Sequence, residues 1–197
     1  MKLQEIEEKL ERQGMSLFTT RELQRAAGVS PASAKFLVLR YLKKGYLVPL
    51  KKRRGLYSFR RHLPPPFLAA NKLYRPSYVS LESALAFHGL IPESVHSVTS
   101  VTPKITRTFE SMGLQFIFRK IKAHAFTGYG PVEHQGHTVL VAEPEKALAD
   151  TLYFQFRNKE TLNDRIRWKA IQRNVLRRYL QLFEDPRLLE WAHHVIR

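Results

Sequence analysis

The sequence predicts an α+β protein: an N-terminal winged helix-turn-helix followed by a C-terminal α/β domain, a small sheet flanked by helices with a helical C-terminus. Three observations carry this reading. The first 62 residues run through capped amphipathic helices, a Gly turn and a hairpin tipped by four consecutive cations. Three prolines at 64, 65 and 66 then interrupt the chain, and from residue 77 short β-rich runs alternate with helical periodicity. The implied organisation is a DNA-binding domain over 1–62, a proline-rich linker over 63–76 and a second domain over 77–197.

Leu3, Ile6 and Leu10 lie at helical spacing among glutamates, predicting an amphipathic helix over 3–13 that Gly14 stops. Thr19 and Glu22 have the spacing of a capping box, with Phe18 and Leu23 at the staple positions. The helix they open is short, buries Leu23, Ala26 and Ala27, and ends at Gly28, where a left-handed residue can turn the chain sharply. Ser30 caps a third helix with Pro31 in its first turn and Ala34, Leu37, Val38, Tyr41 and Leu42 as its inner stripe. Two helices joined this tightly are the helix-turn-helix arrangement, whose second helix enters the major groove.

The predicted DNA-binding residues on that helix are Ser30, Ala32, Ser33, Lys35, Phe36, Arg40 and Lys43. Ser33 and Lys35 have the chemistry to hydrogen-bond base edges; Phe36 either meets a thymine methyl or packs under the first helix or the hairpin. Tyr46–Leu50 and Leu56–Phe59 read as two strands, and Lys51, Lys52, Arg53 and Arg54 between them as a basic wing gripping phosphate.

Charge supports the placement. Lys and Arg outnumber Asp and Glu 33 to 17, a formal net charge of +16 that favours a polyanionic partner. Up to His62 there are 15 cations against 5 glutamates, so most of that excess lies in the first third.

In the second domain Tyr78-Val79 leads into Ser80, a cap for a helix from Leu81 to His88. Residues 96–101, 114–121 and 138–141 read as strands, and Gly128–Pro131 as a turn. Pro144 suits the first turn of a further helix, Glu143 and Glu145 favour its positive end, and Ala147, Leu148, Thr151 and Leu152 form its buried stripe. Past Asn158 a helix is expected with Trp168, Ile171, Val175, Tyr179 and Leu182 on one side. Arg165, Lys169, Arg173 and Arg177 would form a basic stripe on the other, either an accessory phosphate or acidic-partner contact or a solvated face.

Several chemistries are excluded or disfavoured. The absence of cysteine removes disulfides, thiolate zinc sites and cysteine nucleophiles. The first residues mix acids with bases and no long uncharged apolar run follows, so a soluble cytoplasmic protein with no membrane association is expected. His134 and His137 lack the helical spacing of a zinc pair, and His193-His194 are adjacent. Glu143, Glu145 and Asp150 could hold a divalent cation, but Glu145 and Asp150 diverge around a helix. No nucleophile elbow, Walker loop or dinucleotide fingerprint occurs. No catalytic residue, metal or cofactor is expected.

The segments 78–92 (YVSLESALAFHGLIP) and 141–150 (VAEPEKALAD), together with Val98–Lys104 and Phe126–Tyr129, resemble the AbiEi-type antitoxin and transcriptional regulator family of abortive-infection systems, a likeness spanning about residues 15–156. The resemblance implies a sequence-specific repressor of its own operon, binding double-stranded DNA at inverted repeats. It also implies a nucleotidyltransferase-like toxin as genetic partner, counteracted without a stable complex. The basic C-terminal helices and the bulky Phe36 depart from the common pattern. A stand-alone winged-helix regulator without a toxin, a nucleic-acid-processing enzyme using the second domain, and an adaptor for an acidic protein are the alternatives.

Overall fold

In the computed structural model, which describes residues 3–51, 55–92, 97–159 and 165–196 and only the backbone of Lys51, the leading apolar spacing becomes helix α1 (Leu3–Arg12), burying Ile6 and Leu10. Strand β1 (Phe18–Thr19) leads straight into α2 (Thr20–Ala27). The Glu22 amide donates to Thr19 Oγ1 at 3.3 Å, and the Glu22 carboxylate accepts from the Thr19 N–H at 2.6 Å, completing the capping box. Gly28 ends α2 at φ 64°, a left-handed conformation that glycine adopts without a Cβ clash. Helix α3 (Pro31–Lys43) begins on Ser30, whose Oγ accepts from the Ser33 amide at 3.2 Å.

Strands β2 (Leu47–Lys51) and β3 (Leu56–Phe59) pair antiparallel, and β1 adds to β3, giving the order β1-β3-β2. Pro49 lies on the edge strand β2, where a missing amide donor is tolerated. Ile6, Leu10, Phe18, Leu23, Ala34, Val38, Tyr41, Leu47 and Phe59 join helices and sheet into one core. The chain divides into two compact units, Met1–Ala69 with Glu110–Gly113 forming the first and Ala70–Phe109 with Leu114–Arg197 the second.

The expected linker over 63–76 is largely replaced by helix α4 (Pro66–Leu73). A proline forbids helix continuation on its N-terminal side, yet its fixed φ suits the first helical turn, and Pro66 stands there. The amide of Asn71 holds β9 (His137–Ala142) by the Leu140 backbone, accepting from its N–H at 2.6 Å and donating to its carbonyl at 3.3 Å. Strand β4 (Tyr78–Val79) meets β9 only at Val79 and Val141, so the side chain of Asn71 supplies Leu140 with partners beside that short pairing.

The second unit is built on a six-stranded mixed sheet. Its remaining strands are β5 (Ser97–Thr102), β6 (Arg107–Ser111), β7 (Leu114–Lys120) and β8 (Tyr129–His134), in the order β6-β7-β5-β4-β9-β8. Two of these strands escape the sequence reading. Both β6 and β8 are edges of the sheet, carry few buried apolar residues and so lack a clear alternation. The Tyr129-Gly130-Pro131 segment, expected as a turn, is therefore strand; only Gly128, at φ 71°, keeps the turn geometry.

Helix α5 (Leu81–Phe87) packs on β5 and on α6 (Pro144–Asn158), which also packs on α7 (Arg173–Gln181) and α8 (Pro186–Val195). The single helix expected past Asn158 is broken. Among the described residues Arg165 lies in a turn and Lys169 in a 3₁₀ turn (Trp168–Ala170), so only Arg173 and Arg177 of the predicted stripe share a helix. Tertiary bonds replace helical ones: the Arg167 amide donates to the Leu90 carbonyl at 2.9 Å, and the Gln172 amide to Glu145 Oε1 at 3.0 Å. The apolar stripe shifts accordingly, α7 burying Leu176 and Leu180 rather than Val175 and Tyr179.

Candidate nucleic-acid interface

The inner face of α3 buries Ala34, Val38 and Tyr41. At 100° per residue, Ala32, Ser33, Lys35, Phe36, Leu39, Arg40 and Lys43 fall on the opposite arc, about 160° wide, and all seven are exposed. At its middle stand two large apolar side chains, Phe36 at 72% and Leu39 at 62% exposure. The alternative packing of Phe36 under α1 or the hairpin is thereby corrected: Val38 and Tyr41 take the inner side of the helix and leave the Phe36 ring in solvent.

The polar residues differ in freedom. Ser33 is engaged at the cap, its hydroxyl 3.0 Å from that of Ser30, and Arg40 stacks over the Tyr41 ring at 5.3 Å. Ser30 is exposed but held in the same cap, and Lys35 and Lys43 are exposed. Leu39 escapes a search for cations and polar groups; its signal in the sequence is an apolar residue lying off the inner stripe. Of the expected wing, Lys52, Arg53 and Arg54 lie outside the described residues, as does the side chain of Lys51.

Residues 4–60 match the family model described as transcriptional regulator, AbiEi antitoxin. The match takes in α1 through β3, and with it the outer arc of α3 and the capped turn that precedes it. This AbiEi match ends before Tyr78–Pro92 and Val141–Asp150, the segments in which the resemblance was strongest. No curated protein matches the chain. Among the described residues, no helix is long and apolar enough to cross a membrane.

The carboxylates weighed for a cation in the second unit each have another partner. Glu143 accepts from the Tyr179 hydroxyl at 2.6 Å, and Glu145 from the Gln172 amide. Burial and the carboxylate together push the Tyr179 hydroxyl up to about 12. Asp150 is wholly buried against Lys146, with which it forms an ion pair, and accepts from Ser80 Oγ at 2.7 Å and Tyr78 Oη at 3.1 Å. Burial pushes the Asp150 carboxyl up, against the pull of Lys146 and the two hydroxyls, and pushes the Tyr78 hydroxyl strongly up.

That cluster corrects the role expected for Ser80, which stands at the N-cap of α5 but makes no side-chain cap bond. A buried carboxylate is a stronger acceptor for its hydroxyl than an amide is a donor to it. His88 closes the other end of α5, its Nε2 2.7 Å from the Ala142 carbonyl.

Proposed function

We propose that the chain is a sequence-specific transcriptional repressor whose first unit is a winged helix-turn-helix, reading double-stranded DNA with α3 while Lys51, Lys52, Arg53 and Arg54 hold phosphate. One observation carries the reading: Phe36 and Leu39 stand in solvent on the outer arc of α3, which they share with the exposed cations Lys35, Arg40 and Lys43. Apolar side chains interspersed with cations suit a major groove, where thymine methyls are flanked by phosphates. The description of the matched family supports a regulatory role and adds antitoxin to it. The chain then acts in the cytoplasm, represses its own operon at inverted repeats and counteracts a nucleotidyltransferase-like toxin without forming a stable complex.

Selection from a random duplex pool, followed by anisotropy titration of the full chain, tests the reading. Phe36→Ala and Leu39→Ala should each weaken the selected duplex about tenfold, roughly 1.4 kcal/mol, while leaving random duplex binding unchanged. Replacing residues 51–54 together with Ala should weaken all duplexes and reduce the slope of log K against log salt by nearly one unit per lost phosphate contact. A chain that selects no sequence, or whose preference survives both α3 substitutions, overturns base reading by this helix.

A further inference from the structure

Glu7 and Glu11 lie one turn apart on α1, so their carboxylates share a face, and His62 follows the end of β3. His62 Nε2 is 3.3 Å from Glu11 Oε1 and 3.9 Å from Glu7 Oε1, and one ligand atom from each residue lies within 4.8 Å of the others. These spacings fit donors around one small cation: ligands about 2 Å from a metal stand roughly 3 Å or more apart.

The second observation is Glu7 itself. Its side chain is only 10% exposed and its Oε1 atom, aimed at the imidazole, is buried without a hydrogen-bond partner. An orphaned buried carboxylate oxygen is costly, and two carboxylates one helical turn apart repel; a divalent cation offsets both. The third donor is held in place, since the His62 carbonyl accepts from Ser58 Oγ at 3.0 Å and the His62 amide donates to the Phe59 carbonyl at 3.2 Å. The nearby Arg60 guanidinium is turned to the Gly45 carbonyl at 2.8 Å instead.

We infer that Glu7, Glu11 and His62 form a site for a divalent first-row transition-metal cation, with solvent completing its coordination. One imidazole and two carboxylates suit zinc better than magnesium, which prefers oxygen donors and retains its water. The bound cation ties α1 to the end of β3, a link between elements about fifty residues apart in sequence. No metal is expected from the absent cysteines, from histidine pairs close in sequence or from Glu143, Glu145 and Asp150, whereas this donor set joins one histidine to two glutamates some fifty residues away.

Calorimetric titration of the full chain with zinc chloride, alongside thermal melts with and without zinc, tests it. The wild type should bind one equivalent more than His62→Gln or Glu11→Gln, and its zinc-dependent rise in Tm should vanish in both variants. Both positions are substantially exposed, at 57% and 42%, so the variants should keep the wild-type circular dichroism; Glu7→Gln, of the same shape, supplies a third. Zinc isotherms and melts identical in wild type and variants would show an ion pair only and overturn the site. So would magnesium competing with zinc at equal concentration, which would mean unspecific attraction to acids.

Discussion

Helix α3 turns two large apolar side chains to solvent, whereas α6 takes a lysine and an aspartate entirely out of it. Each departs from the rule that apolar groups go in and charges stay out, in opposite directions. In α6 the departure is satisfied within the fold: Lys146 pairs with Asp150 and lies 5.7 Å and 5.3 Å from the centres of the Tyr78 and Phe183 rings, and two hydroxyls fill the remaining acceptor positions. Nothing comparable covers Phe36 and Leu39 among the described residues. A violation completed internally is explained by the fold alone, and one left open is the kind of surface the proposed DNA reading requires.

The largest effect is expected at Asp150. Asp150→Ala leaves Lys146 charged, buried and unpaired, and should cost about 3–5 kcal/mol in urea denaturation, whereas the double variant Lys146→Met, Asp150→Leu should recover part of it. A small loss in the single variant would mean that water reaches the pair. Next in size is Gly128→Ala in the same unit. An added Cβ would meet the Tyr179 ring at 2.6 Å, and Gly128 has φ 71°, so a loss of about 2 kcal/mol or more is expected from strain and overlap. The smallest effect sharpens the other half: Phe36→Ser and Leu39→Ser should change stability by no more than about 0.5 kcal/mol, because no packing is lost. A larger fall would place those side chains in a core and leave α3 without a reading face.

Much of the first unit is legible in the sequence because its signals are local. Thr19 and Glu22 cap within one turn, Gly28 needs only its own φ, and Ser30 with Pro31 announces α3 without distant help. Strand β1 is not legible, since Phe18 and Thr19 become strand only by pairing with Tyr57 and Leu56. The same holds for the break before α7, which Leu90 and Glu145 impose from far along the chain. The fourth-residue spacing of Arg165, Lys169, Arg173 and Arg177 is a pattern of residue types, and residue types alone do not record which amides are already taken. At the candidate interface the cations are legible by charge, while Leu39 requires knowing which face of α3 is covered.

Asn71 has an evolutionary consequence. A primary amide is the one side-chain group that both donates and accepts as a peptide unit does, and Asn71 uses both halves on Leu140. Aspartate would keep only the acceptor, leucine neither, and glutamine would reach too far. Among homologues that keep this sheet, substitution at the position should be confined while its exposed neighbour at 72 drifts, so that one invariant amide in an otherwise variable helix would identify the shared architecture where overall similarity has faded.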